Sequence, residues 1–294
     1  MRLGHVSDYV PKDRERMGTA IKKRLFHGIW FLTGPKGISG LQPSGRSSRV
    51  ERCVITKVLG VIGGLGPIAT AYFYQLVIQM TEAEVDQEHI EMLIYSKPSI
   101  PDRTEYILGK SEANPVYPMI ETGRKLVGMG AEHIVIPCIT AHYFHEILSE
   151  GIEVPILHAI RETANYLREQ GIRCAGIMAT EGTVHSGLFQ EGLSECGISY
   201  VIPDVENQSA VTDLIYKNVK ANKPVEFEKF HRVSQCLRQD GAQVIILGCT
   251  ELSLIKRDYA IGPGYIDAME VMAMRSIILS GARLKEEYRT LITV

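Results

Sequence analysis

The chain has 294 residues, 45% hydrophobic and 22% charged, which is room for about two domains with separate cores. Its 32 Lys and Arg against 34 Asp and Glu leave a net charge of −2, which excludes a general electrostatic footprint for nucleic acid. No apolar run approaches the roughly 20 residues of a membrane span, and six cysteines are too sparse for a disulfide scaffold, so a soluble, cytoplasmic, enzyme-sized protein is expected.

The first segment stands apart. Residues 1–52 hold 11 Lys and Arg against 4 Asp and Glu, and 34–48 are rich in Gly, Pro and Ser with little hydrophobic periodicity. Residues 1–56 therefore read as a basic, poorly ordered extension. Lys22-Lys23-Arg24 ahead of Leu25–Leu32 resembles the start of a signal peptide, but His27 and Gly28 interrupt the apolar stretch. Asp8, Asp13 and Glu15 argue against an organellar transit peptide.

From Lys57 the pattern changes to β-branched runs alternating with amphipathic stretches, as in α/β proteins with parallel strands. Strands are predicted at Val58–Ile62, Glu91–Tyr95, His133–Ile136, Val154–Leu157, Cys174–Met178, Ser199–Ile202 and Gln243–Leu247. Helices are predicted at Ala69–Met80, Val116–Met129, Ala159–Gln170, Ser209–Ala221 and Glu226–Gln239, with a last amphipathic stretch from about Asp267 to Gly281.

The chain also repeats itself. Gly130-Ala131 precedes an apolar strand ending at Cys138, and Gly241-Ala242 precedes one ending at Cys249, eight residues after the glycine in both cases. Thr140 and Thr250 follow the two cysteines, and Gly60, Gly66 and Phe73 match Gly176, Gly182 and Phe189 at a constant offset of 116. The economical reading is two similar flavodoxin-like, parallel-sheet α/β domains, 57–158 and 159–266, related by a pseudo-twofold. Residues 267–294 are expected to form a helix returning to the first domain. Ligands of open parallel sheets bind beyond the carboxyl ends of the strands, so the duplicated cysteines should face one cleft between the domains.

A thiol at a helix start is expected to ionise readily. One thiolate and one thiol on opposite faces of a tetrahedral carbon can remove a proton from one side and return it from the other. Cys53, Cys174, Cys196 and Cys236 read as small hydrophobes instead.

Five motifs then occur in order: Gly63-Gly64-Leu65-Gly66-Pro67, Ile100-Pro101-Asp102-Arg103-Thr104, Pro137-Cys138-Ile139-Thr140-Ala141-His142, Ala179-Thr180-Glu181-Gly182-Thr183 and Gly248-Cys249-Thr250-Glu251. Through them residues 57–294 resemble the aspartate/glutamate racemase family, and especially its aspartate racemase branch. The resemblance implies inversion of an acidic amino acid without metal or organic cofactor, most readily aspartate, with Cys138 and Cys249 as the two acid/base groups. It implies Arg103 as the clamp on the substrate's side-chain carboxylate, Lys220 as a second cation, and Thr140, Thr183 and Thr250 as further substrate contacts. Gly64, Leu65, His142 and Glu251 would support the site, and the protein would be a homodimer.

One position departs from the family pattern: Ile139 stands where Cys-Asn-Thr is usual. Isoleucine offers no hydrogen bond, so Ile139→Asn is expected to raise turnover on aspartate. That departure keeps open a non-catalytic, ligand-binding relative, beside diacid isomerases, hydantoin racemases and malonate decarboxylases of the same superfamily. Two further readings compete. Gly64-Leu65-Gly66-Pro67-Ile68-Ala69 fits a dinucleotide-binding glycine loop, but the second predicted strand ends Tyr95-Ser96-Lys97 without the acid a ribose needs. Cys138, His142 and Cys249 have tolerable spacing for a metal, with no evident fourth ligand.

Overall fold

A computed structural model of the chain describes residues 56–294; the reading of the basic extension falls, up to position 55, outside the described residues. The described part is α/β and carries two parallel sheets. The first takes β1 (Leu59–Gly63), β2 (Met92–Ser96) and β3 (His133–Val135) in the order β2-β1-β3. The second takes β4 (Cys174–Ala179), β5 (Ser199–Val201), β6 (Val244–Gly248) and β7 (Tyr265–Asp267) in the order β5-β4-β6-β7. Each sheet thus starts from a central strand with its second strand on one side and its third on the other. Central β1 and β6 are buried at every residue, as continuous apolar strands covered on both faces should be.

The expected strand at 154–157 shrinks to one parallel bridge, Ile134 to Ile156. Ile134 N donates to Pro155 O at 2.8 Å and Leu157 N to Ile134 O at 2.9 Å, and Pro155 has no N–H to extend the ladder. Sequence reading missed β7, because three residues between Gly264 and a helix are too short to show alternation.

Helices follow the strands. In the first half these are α1 (Pro67–Met80), α2 (Arg103–Ile107), α3 (Val116–Gly128) and α4 (His145–Gly151). Pro67 suits the first turn of α1, where no N–H is needed. Next come α5 (Ala159–Glu169), α6 (Glu181–His185), α7 (Leu188–Glu195) and α8 (Val205–Thr212). The predicted helix over 209–221 is divided in fact: α8 passes into a π-helical turn, Asp213–Val219. The remaining helices are α9 (Phe227–Gln239), α10 (Thr250–Asp258) and α11 (Ala268–Leu279). Among the described residues no helix is long and apolar enough to cross a membrane.

The packing explains how the halves stay in register. α11 is apolar nearly all round, and it lies against both α1 and α5. Its Met269, Met272 and Ile277 share one core with Val61 of the first sheet and Ile177 and Ile246 of the second. Fully burying such a side chain contributes about 1.5–3 kcal/mol, so this shared core outweighs any single surface ion pair. At the other contact, α2 crosses α6 at Gly182, where a Cβ would stand 3.0 Å from Thr104 Cα.

Candidate active site

Cys138 lies three residues beyond the end of β3, the first sheet's third strand, and Cys249 directly follows β6, the third strand of the second sheet. Extended backbone at Cys249 (φ −147°, ψ 137°) turns into α10, and at Cys138 (φ −157°, ψ 103°) into a 3-10 turn, Ile139–Phe144. Both thiols are free and buried, and both line one small cavity of about 10 Å³ together with Arg103, Lys220, Thr140 and Thr250. That is roughly the room of one water, so in this structure the cavity is closed to any larger ligand. Leu65, Asp102, Thr104, Thr180, Tyr216 and Glu251 complete much of the wall. A second cavity of about 410 Å³ adjoins it and shares Leu65, Asp102, Arg103, Lys220 and Glu251.

The two thiols have different neighbours. Cys249 Sγ–H donates to Glu251 Oε2 at 2.9 Å, and Thr250 Oγ1 donates to the same oxygen at 3.3 Å. Burial and the adjacent Glu251 carboxylate push the Cys249 pKa well above that of a free thiol, overriding the pull of Lys220. A helix start therefore does not make Cys249 acidic, contrary to expectation; in this closed state it is a proton-bearing thiol. Cys138 lies beside the Arg103 guanidinium, and that proximity helps hold Arg103 charged.

Arg103 opens α2, with Asp102 as its cap: Asp102 Oδ1 accepts from Glu105 N at 3.0 Å. The guanidinium folds back on the loop. Nη1 donates to Pro101 O at 3.0 Å and to Ile100 O at 3.4 Å, and Nη2 donates to Leu65 O at 2.9 Å. Its Nε–H is buried without a partner, although the residue is only 7% exposed. Burial works against the charge, but the Cys138 sulfur and the Asp102 carboxylate outweigh it and raise the Arg103 pKa.

Lys220 is the opposing cation. Its Nζ lies 3.6 Å from Asp102 Oδ2 and 4.2 Å from the centroid of the Tyr216 ring. Burial alone would lower the Lys220 pKa; Glu251, Tyr216, Cys249 and Asp102 together raise it instead. Burial likewise pushes the Tyr216 hydroxyl up to about 12, so it stays a donor, 3.5 Å from Asp102 Oδ1. Asp102 would rise on burial too, but the Glu105 N–H, Lys220 and Arg103 hold its pKa below the usual range.

The remaining predicted residues take different places around the cavity. Thr140 and Thr250 are in the wall, whereas Thr183 stands one layer behind it. The Thr140, Thr180 and Thr183 hydroxyls form a closed triangle with edges of 3.0, 3.0 and 2.9 Å, so Thr183 orients Thr140 rather than lining the cavity. Gly64 has φ +89° and a Cβ there would meet Lys97 N at 2.4 Å, so only glycine permits this turn. His142 faces away from the thiols. Its Nδ1 approaches the Cys138 and Ile139 carbonyls at 3.2 and 3.1 Å and its Nε2 approaches Leu157 O at 3.3 Å, while burial drops its pKa to about 4. It supports the Cys138 turn through the backbone, and the Cys138–His142–Cys249 metal arrangement is not assembled. Among the described residues no group of three or more His, Cys, Asp or Glu is placed to hold a metal ion.

Ile139 borders the same cavity and packs in the core with Val61, Leu157 and Ile160, where its side chain offers a ligand no hydrogen bond. Sequence reading missed Asp102, Thr104, Thr180 and Tyr216 as wall residues. Three sat inside the quoted motifs, and Tyr216 precedes Lys220 by one helical turn, the spacing at which side chains meet.

A model of the Asp/Glu/hydantoin racemase family matches residues 62–275. The aspartate racemase of Picrophilus torridus is 32% identical with a TM-score of 0.69, covering 79% of this chain and 98% of its own. The broad specificity amino-acid racemase RacX of Bacillus subtilis is 28% identical over 67% of this chain and 87% of its own length. A glutamate racemase from Francisella tularensis, 16% identical, shares the fold with a TM-score of 0.54 over 76% of this chain and 81% of its own.

Proposed function

The chain belongs to the Asp/Glu/hydantoin racemase family, and from that membership we propose that it racemises an acidic amino acid, aspartate first, by two-base proton transfer between Cys138 and Cys249. One observation carries this reading: two thiols at equivalent strand ends of different sheets border one cavity with two cations. Arg103 binds the side-chain carboxylate through its unpartnered Nε–H and one remaining Nη2 hydrogen. Lys220, Thr140 and Thr250 receive the α-carboxylate, whose resonance accommodates charge developing on the α-carbon. In each direction one cysteine removes the α-proton as thiolate and the other, as thiol, returns a proton from the opposite face; the reversed pair serves the other enantiomer. Side chains of the protein itself perform each step, with a homodimer in the cytoplasm as the working form.

The kinship to RacX and the 410 Å³ cavity, walled partly by Pro67, Ile68, Val219 and Leu254, favour a second reading in which larger or uncharged amino acids also turn over. Incubation of each enantiomer of aspartate, glutamate and several neutral amino acids in D₂O tests both. α-Proton exchange with loss of optical rotation on aspartate is the expected result. Turnover confined to neutral substrates would select the second reading, and exchange with none would refute racemisation.

A further inference from the structure

Away from the reaction cavity, two buried polar pairs recur at one spacing. Ser253 and Lys256 lie three residues apart on α10, and so on one face of that helix. Asp267, the N-cap of α11, and Glu270 in its first turn are spaced the same way. The two sets meet as rungs: Ser253 Oγ donates to Asp267 Oδ1 at 2.7 Å, and Lys256 Nζ donates to Glu270 Oε2 at 2.6 Å. Ser253 and Asp267 are fully buried, and the Lys256 and Glu270 side chains nearly so. Asp267 Oδ1 also accepts from Met269 N at 2.8 Å, whereas its Oδ2 is buried with no partner.

Stability alone does not call for this arrangement. Two carboxyl groups and an ammonium withdrawn from water, with one carboxyl oxygen left unpaired, hold a fold together no better than apolar side chains of similar volume. What they add is direction. α10 otherwise packs through Leu252, Leu254 and Ile255, and apolar contact of that kind is non-directional. Two hydrogen bonds one turn apart resist rotation of the helix about its axis. Cys249 is the N-cap of α10 and Thr250 its first residue, so any such roll reaches the cavity. Side chains extend about 5–6 Å from a helix axis, so about 10° of roll moves a sulfur by about 1 Å. A displacement of that size at a reacting atom can cost on the order of 100-fold in rate.

Resting on the two-cysteine reading above, we propose that the Ser253–Asp267 and Lys256–Glu270 rungs form a brace that fixes the roll of α10 and thereby aims Cys249 at the substrate. The four residues are positioning residues: none of them lines the reaction cavity or the larger one beside it, and they act through α10. The brace bears on one sulfur only. Cys138 leads into a different turn, held by His142 Nδ1 against the Cys138 and Ile139 carbonyls.

That asymmetry supplies the test, because the two sulfurs can be read separately. Initial α-proton exchange of L-aspartate and of D-aspartate in D₂O is followed by NMR for wild type, Cys249→Ser, Ser253→Ala and Lys256→Met. Cys249→Ser identifies the enantiomer whose exchange needs that sulfur. Each rung variant should slow exchange of the same enantiomer by about tenfold or more, shifting the ratio of the two rates in the direction that Cys249→Ser sets. Loss of folded protein would slow both enantiomers by one factor and leave the ratio alone. An unchanged ratio, or a shift in the opposite direction, would therefore overturn the brace. The rungs are separate, so if one variant does not fold the other decides. Should Cys249→Ser leave both rates intact, or wild type exchange no α-proton, the failure would instead be that of the two-cysteine reading.

Discussion

Replacing Arg103 with lysine keeps the positive charge and removes the fork. A guanidinium has five N–H donors; three are engaged by the carbonyls of Leu65, Ile100 and Pro101, which leaves two for the substrate carboxylate. A lysine ammonium cannot hold those carbonyls and a bidentate carboxylate at once. Losing one hydrogen bond to a charged group costs about 1.5–3 kcal/mol, so kcat/KM for aspartate should fall roughly 10- to 150-fold. A carbonyl left unpaired in this buried loop costs a further ~1–3 kcal/mol of stability, and the melting temperature should drop by about 2–10 °C for a fold of this size. Steady-state racemisation followed by polarimetry, beside a thermal melt, reads both effects. Activity within about threefold of wild type would refute the clamp role, whatever the melt shows.

Other outcomes follow from the same geometry. Cys138→Ser and Cys249→Ser should each abolish racemisation while still exchanging the α-proton of one enantiomer in D₂O, opposite enantiomers for the two variants; full racemisation by either would end the two-base proposal. Ile139→Asn should lower the melting temperature, because it replaces a 1% exposed core side chain by an amide at a cost of about 2–5 kcal/mol, while turnover on aspartate should rise in the polarimetric assay, and unchanged or lower turnover would refute the handicap assigned to Ile139. Tyr216→Leu removes the ring 4.2 Å from Lys220 Nζ and should raise KM for aspartate several-fold with a smaller change in kcat, in steady-state kinetics. Burial, reinforced by Asp267, lifts the Glu270 pKa from 4.5 to about 7 against the pull of Lys256. The folded state therefore holds a proton there that the unfolded chain releases sooner, and this contribution to stability, full below 4.5, is lost as pH rises to about 7. Melting temperatures measured across that window should decline, and Glu270→Gln should flatten the decline.

What the sequence could tell depended on the distance over which each signal acts. Strand-end cysteines announced themselves because a duplicated spacing is legible along the chain, and the helices over 116–129 and 226–239 appeared nearly at their predicted bounds. The partners of those cysteines were less legible. Whether a helix-start thiol is acidic or not depends on Glu251 and on complete burial, and the motif alone gave that glutamate only a supporting place without its effect on the thiol. His142 looked like a neighbour of Cys138 by spacing, but a 3-10 turn rather than an α-helix points its ring toward backbone carbonyls. The Tyr216–Lys220–Asp102 contact joins residues 114 apart, and no local pattern encodes that meeting.

Each sulfur follows a strand of a different sheet, so under the proposed two-base transfer any motion that parted the sheets to admit a substrate would also part proton donor from proton acceptor. Chemistry and exchange with the medium would then fall on alternate strokes of one mechanical cycle, and solvent viscosity, through the rate of that stroke, should slow turnover.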